Sequence, residues 1–128
     1  KTRGAALVID YGDDEVFGET LQAVANHRGA HLLSTPGLAD ITAHVSFLPM
    51  ATSVRKIGCR HYGPIEQGEF LLALGIAERT AQLCAKANDV QKRSLEAALH
   101  RLTAPEAMGK LFKVFAFTDK ATAQPAGF

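Results

Sequence analysis

Gly4-Ala5-Ala6-Leu7-Val8-Ile9-Asp10-Tyr11-Gly12 decides how the rest of the chain is read. Ala5 to Ile9 is an unbroken apolar run that includes β-branched Val8 and Ile9 and stops at Asp10. A strand that is apolar on both faces is buried on both faces, the habit of parallel sheets covered by helices. Asp10-Tyr11-Gly12 then stands at the carboxyl edge of the sheet, where open α/β sheets bind ligands. The chain opens at Lys1 and enters this buried-type strand within a few residues. That order reads as the back portion of a larger protein.

Composition bounds the alternatives. One core suits 128 residues, and 47% apolar with 21% charged residues is ordinary for a globular chain. Fourteen basic and 13 acidic side chains leave a formal charge of +1. That balance gives no electrostatic case for nucleic acid or for an anionic membrane. No apolar run approaches the ~20 residues of a membrane span. Cys59 and Cys84 are too isolated for a disulfide framework and fit a reducing compartment.

Moving outward, Gly12-Asp13-Asp14-Glu15 opens an acidic loop that runs to Gly18. Thr20 to His27 reads as a short strand or ribbon, and Pro36-Gly37 as a turn. His27 and His31 have metal-like spacing, but Gly29 lies between them and no glutamate follows His27, so both read as surface histidines. Ser46 is an N-cap for a helix carrying Phe47, Leu48, Met50, Val54 and Ile57, with Pro49 in its first turn and Gly58 just past its end. Cys59 to Ile65 reads as a strand bent at Gly63-Pro64.

Phe70 to Leu74 is an apolar segment closed by Gly75. Ile76, Thr80, Leu83, Cys84 and Ala87 form one helical face that should pack in the core. Asn88-Asp89 caps a further helix with a buried stripe of Leu95, Ala98, Leu99 and Leu102. Pro105 starts a short helical turn ending by Gly109, and Leu111 to Thr118 is a second strong strand. Lys120 to Phe128 should be loose. The chain holds no Walker loop, no Gly-x-Gly pair and no nucleophile motif. Physics alone therefore reaches an α/β piece with polar residues at one strand end.

A resemblance extends this. Gly4 to Gly12, Thr20-Leu21-Gln22-Ala23 and His27 are similar to the second half of a MidA-type S-adenosylmethionine-dependent methyltransferase, the family of the mitochondrial complex I assembly arginine methyltransferase. The likeness continues through Pro36-Gly37, Ala39-Asp40-Ile41-Thr42-Ala43-His44-Val45 and Phe47. It resumes at Gly63-Pro64-Ile65, Gln67-Gly68, Phe70-Leu71 and Leu74-Gly75-Ile76, then at Arg101-Leu102-Thr103 and Met108 to Val114. Position 46 departs from it, with Ser46 where the family reads Asp.

The resemblance implies that residues 1–128 are the C-terminal portion of a Rossmann-like class I methyltransferase sheet, strands five to seven with packing helices. Gly4 to Tyr11 would be the fifth strand, Arg60 to Pro64 would start the sixth, and Leu111 to Thr118 would be the antiparallel seventh. The cofactor, S-adenosylmethionine, would be held mainly by an acidic, glycine-rich motif in an N-terminal half that these residues do not include. Asp10 and His44 are the implied catalytic candidates, with Tyr11, Gly12 and Gln67 on the substrate side and no metal. The implied acceptor is a protein arginine of a respiratory complex I subunit. The fragment alone is expected to be inactive. The implied setting is the mitochondrial matrix in a eukaryote and the cytoplasm in a bacterium. Expected partners are the protein substrate and either the missing half or a second copy, with neither nucleic acid nor membrane. A non-catalytic assembly or protein-binding module is the alternative, because a half-sheet has exposed edges.

Overall fold

A computed structural model describes residues 3–33 and 36–128. Strand β1, Ala5–Asp13, is the long central strand. Along its length, from Ala5↔Thr118 to Tyr11↔Phe112, it pairs antiparallel with β7, Phe112–Thr118. On its other side it meets β5, Val45–Ser46, in parallel, at Gly12↔Val45 and Asp13↔Ser46. The strand β6, Arg60–Glu66, pairs antiparallel with β7 and completes the sheet order β5-β1-β7-β6. These strands have the order and direction of the last three strands of a class I methyltransferase sheet, as the resemblance implies. The expectation of a parallel sheet fails locally, since the long partner of β1 is the antiparallel β7.

The expectation that β1 is buried on both faces also needs correction. Alternation along the strand places Val8 toward helix α1, Phe47–Lys56, where it packs with Phe47, Ala51, Val54 and Phe115. Phe47 and Phe115 are fully buried, each contributing about 1.5–3 kcal/mol of apolar transfer free energy. The opposite face carries Leu7 and Ile9, which are 52% and 45% exposed. Helix α2, Gln67–Ala73, lies on that side over β6 and β7 and leaves β1 half uncovered.

Helices α3, Ile76–Cys84, and α4, Asp89–Thr103, form a hairpin against α2. The two helices pack on each other and on α2. No residue of either helix is fully buried, Leu95, Leu99 and Leu102 are half-buried, and Ala98 is exposed. The core-packing expectation for these stripes is thus corrected to helix-on-helix contact. Asn88 does cap α4, through a reciprocal pair of 3.0 Å bonds with Gln91. A kinked π-helical turn, Pro105–Gly109, then leads into β7.

Other local expectations hold. Helix α1 ends at Ile57 with Gly58 at φ 77°, and Gly75 between α2 and α3 has φ 83°. The bend in β6 is a bulge between Tyr62 and Ile65 at the cis Gly63-Pro64 bond. Cys59 and Cys84 are both free thiols. Among the described residues, no helix is long and apolar enough to cross a membrane.

The final segment is not loose. Phe128 packs on Phe70 at a ring separation of 5.3 Å and on Tyr62 at 6.0 Å. Gln124 Nε2 donates to the Phe128 carbonyl at 2.6 Å and closes the turn that carries this ring. Small and turn-forming residues lower its propensity for regular structure, but one aromatic anchor is enough to fix it.

Asp119 ties the start of β1 to the end of β7. Its carboxylate accepts from the Thr122 hydroxyl at 2.6 Å, the Gly4 amide at 3.0 Å and the Ala121 amide at 2.8 Å. Those bonds, the Thr122 hydroxyl foremost, lower its pKa from 3.8 to about 2. A depressed carboxylate stabilises the fold fully above its unfolded pKa and loses that contribution as pH falls through the folded value. Urea midpoints measured between about pH 5 and pH 2 should therefore fall less steeply for Asp119→Asn than for the wild type. An unchanged slope would show that the charge at Asp119 carries no stability.

Candidate functional site

The carboxyl end of β1 sits where two passes of the chain touch. Gly12 is buried, and a Cβ there would overlap the Val45 carbonyl of β5, so only glycine allows the parallel contact. Just beyond, the Asp14 carbonyl accepts from the Leu48 amide at 2.9 Å and from the Ser46 hydroxyl at 3.2 Å. Ser46 precedes α1, but its side chain makes no cap bond to that helix. The N-cap expectation is right in position and wrong in bonding, because the hydroxyl instead closes the neck between β1 and α1.

Between the two sides of that neck the chain makes an excursion. It forms a separate small sheet of β2, Gln22–Ala25, β3, Arg28–Ala30, and β4, Asp40–Thr42, in the order β3-β2-β4. The ribbon expected over Thr20 to His27 is therefore a hairpin strand. Asn26 and His27, at φ 50° and 60°, make its two-residue turn. His27 is exposed in that turn, and His31 is exposed beyond β3, so the two do not share a helical face. The excursion returns through the His44 amide, which donates to Thr20 Oγ1 at 3.1 Å.

This return brings His44 against Tyr11. Their rings meet edge to face at 5.7 Å, and Tyr11 meets Phe112 in the same manner at 5.5 Å. Two of the sequence candidates, Tyr11 and His44, thus share one face at the strand end. Asp10 leaves β1 on the opposite face, and its Oδ1 accepts its neighbour's amide, Tyr11 N–H, at 2.8 Å. That bond leaves the second carboxylate oxygen uncommitted among the described residues.

Gln67 does not join this group. It is 6% exposed, and its Nε2 donates to the Leu102 carbonyl in the last turn of α4 at 2.9 Å. Beside it, Gly68 approaches the Thr103 carbonyl closely. The Gln67-Gly68 pair therefore seats α2 against the end of α4. Gly12 is likewise explained by strand contact. Sequence reading missed Thr20 as the partner of His44, although Thr20 lay within a matched motif whose hydroxyl was an available signal.

Five surface hollows, of about 180 to 430 Å³, lie away from the carboxyl end of β1: two along α3 and α4, one on the small sheet, and two near the amino end of β1. None of the five is lined by Asp10, Tyr11, His44 or Gln67. The strand end presents Tyr11 and His44 on one face and Asp10 on the other.

Known proteins resemble this chain over most of its length. A family model described as a putative S-adenosyl-L-methionine-dependent methyltransferase matches residues 1–65, which include β1, the excursion, α1 and most of β6. The chain belongs to this methyltransferase family. It is 37% identical over 117 residues to the human mitochondrial protein arginine methyltransferase NDUFAF7, covering 90% of this chain and 26% of that protein. The zebrafish (Danio rerio) counterpart is 34% identical over 121 residues, covering 92% of this chain and 28% of the relative.

A crystal structure from Burkholderia thailandensis, of a protein described as a methyl transferase candidate and bound to S-adenosyl-homocysteine, superposes with a TM-score of 0.83 at 32% identity. That likeness covers 98% of this chain and 34% of the solved one. The chain therefore spans between a quarter and about a third of the length of these relatives.

The structural role of Gln67 is testable. Gln67→Met keeps the volume but removes the bond from the buried Gln67 amide to the Leu102 carbonyl, at a cost of about 1–3 kcal/mol in urea unfolding. An unfolding free energy equal to wild type would return Gln67 to the candidates for substrate contact.

Proposed function

We propose that these residues are the C-terminal portion of an S-adenosylmethionine-dependent methyltransferase that modifies an arginine of a protein, and that the cofactor-binding half lies in the rest of that protein. The reading is carried by the family match across β1 and the excursion, together with arginine methyltransferases at 34–37% identity over about nine-tenths of the chain. The acceptor side is the wall made by Tyr11 and His44. The complex I subunit named by the family resemblance is the acceptor in this reading, in the mitochondrial matrix of a eukaryote or the cytoplasm of a bacterium.

Methyl transfer is an in-line displacement whose acceptor must be aligned and relieved of a proton. The bound cofactor supplies the activated methyl group. In this reading the His44 imidazole accepts the proton of the guanidinium, a role supported by its fixing through the Thr20–His44 backbone bond and the Tyr11 ring. The Tyr11 hydroxyl can hydrogen-bond the same group. Asp10 fixes the backbone of Tyr11 and can present its second oxygen to a cation from the other face. Of the two catalytic candidates, His44 holds the stronger claim, because it shares a face with Tyr11 and Asp10 does not.

In the intact protein, His44→Ala should lower kcat for methyl transfer about a hundredfold, the usual range for a general base. Calorimetric affinity for S-adenosylmethionine should stay within about twofold, since a group acting only on the acceptor changes turnover without changing cofactor binding. Asp10→Asn keeps an oxygen for the Tyr11 amide and should change kcat by less than about tenfold. The reverse ranking would exchange the two roles. An intact protein that binds no cofactor and transfers no methyl would favour the assembly-module reading.

A further inference from the structure

The excursion between Asp14 and Ser46 exceeds what the sheet needs. The contact between β1 and β5 requires only that the chain leave and return, yet the intervening residues build a second sheet with its own apolar face. The register Ala23↔Ala30 and Ala23↔Ile41 puts these three side chains on one face of it, and Leu21 falls on the same face by alternation. Ile41 is 60% exposed and Leu21 46%, beside a hollow of about 380 Å³ that Leu21, Ala23 and Ala30 help to line. Phe17, in the loop leading into this sheet, is 82% exposed. Ala23 at the centre of the face is 4% exposed, so the open part is the rim made by Leu21 and Ile41, and an apolar rim left open among the described residues marks an interaction surface.

Charge identifies the occupant. From Asp10 to Asn26 the chain carries Asp10, Asp13, Asp14, Glu15 and Glu19 with no lysine, arginine or histidine, although the chain as a whole is formally +1, and Arg28 on β3 is the basic residue of the small sheet's strands. Asp40 adds a further carboxylate on β4. Strand β4 is an edge of the small sheet, with β2 on one side and no strand on the other among the described residues. It ends at Thr42, just before His44. An extended peptide added along that edge would run toward the wall made by Tyr11 and His44.

We propose that the small sheet and its acidic approach form the docking arm for the protein acceptor, seating an extended, arginine-bearing segment of it. The apolar face takes the side chains that alternate with the arginines. The carboxylates of the approach attract the basic segment and set its direction. This deepens the methyltransferase reading and rests on it for the destination of the arginine, but docking itself does not require turnover.

The test uses the intact protein and two fluorescent probes: an extended peptide of alternating arginine and apolar residues, and its arginine-to-glutamate counterpart. Fluorescence anisotropy should show the arginine peptide binding and the glutamate peptide not. The double variant Glu15→Lys, Glu19→Lys should weaken the arginine peptide about tenfold and flatten its salt dependence. The double variant Phe17→Ser, Ile41→Ser should weaken it with the salt dependence kept. In methylation assays both variants should raise KM for the peptide while leaving kcat and cofactor affinity unchanged.

Unchanged peptide affinity in both variants overturns the proposal. So does equal binding of the glutamate peptide, or a loss of self-association in sedimentation with peptide affinity intact, which would assign the face to a second copy. Peptide binding with this variant profile, in a protein that binds no S-adenosylmethionine, would uphold the arm while removing the methyltransferase reading.

Discussion

The antiparallel pairing of β1 with β7 is the constraint on which the rest of the structure depends. It joins the first strand of the chain to the last through an uninterrupted register from Ala5↔Thr118 to Tyr11↔Phe112. Closing so long a loop costs conformational entropy, and the return comes from what the pairing aligns. Val114, Phe115 and Ala116 become fully buried, Phe115 against α1 and Val114 and Ala116 on the opposite face. The same register sets Phe112 beside Tyr11, so the aromatic wall at the strand end is a by-product of how the core is closed. Asp119 and Gly4 fasten the other end of the same pair of strands.

Signals carried by single residues or short periods were legible in the sequence. Gly58 and Gly75 mark helix ends because positive φ is cheap only for glycine, and Asn88 announces a cap through its offset to Gln91. The strands β1, β6 and β7 follow from apolar runs. Less legible was anything decided by a neighbour distant in sequence. Leu7 and Ile9 look like core residues, and they are half-exposed because α2 lies over β6 and β7. The stripes of α3 and α4 have core periodicity, but periodicity states which residues share a face and not what covers that face.

The site divides in the same way. Asp10, Tyr11, Gly12, His44 and Gln67 stand out as candidates from their place at a strand end or in matched motifs. Their division of labour was not readable. Gly12 and Gln67 serve backbone and helix contacts, because the carbonyls of Val45 and Leu102 dictate what stands beside them. The Tyr11–His44 contact depends on how the excursion returns, which no local pattern encodes. Ser46 shows the limit most plainly: its position before α1 implies a cap, but its hydroxyl serves the Asp14 carbonyl.

The neck formed by Gly12, Asp14, Val45 and Ser46 makes the excursion a cassette. Its two ends lie on adjacent strands, at the ordinary spacing of about 4.8 Å, and both are secured by backbone contacts that do not involve the intervening sequence. A segment anchored in this way can be lengthened, shortened or exchanged without moving β1, β7 or the core between them. The small sheet can then vary at little cost to folding, whereas the Tyr11–His44 contact, made by the return of the excursion, varies with it. Grafting the excursion from one relative onto another at this neck would exchange the small sheet as one unit.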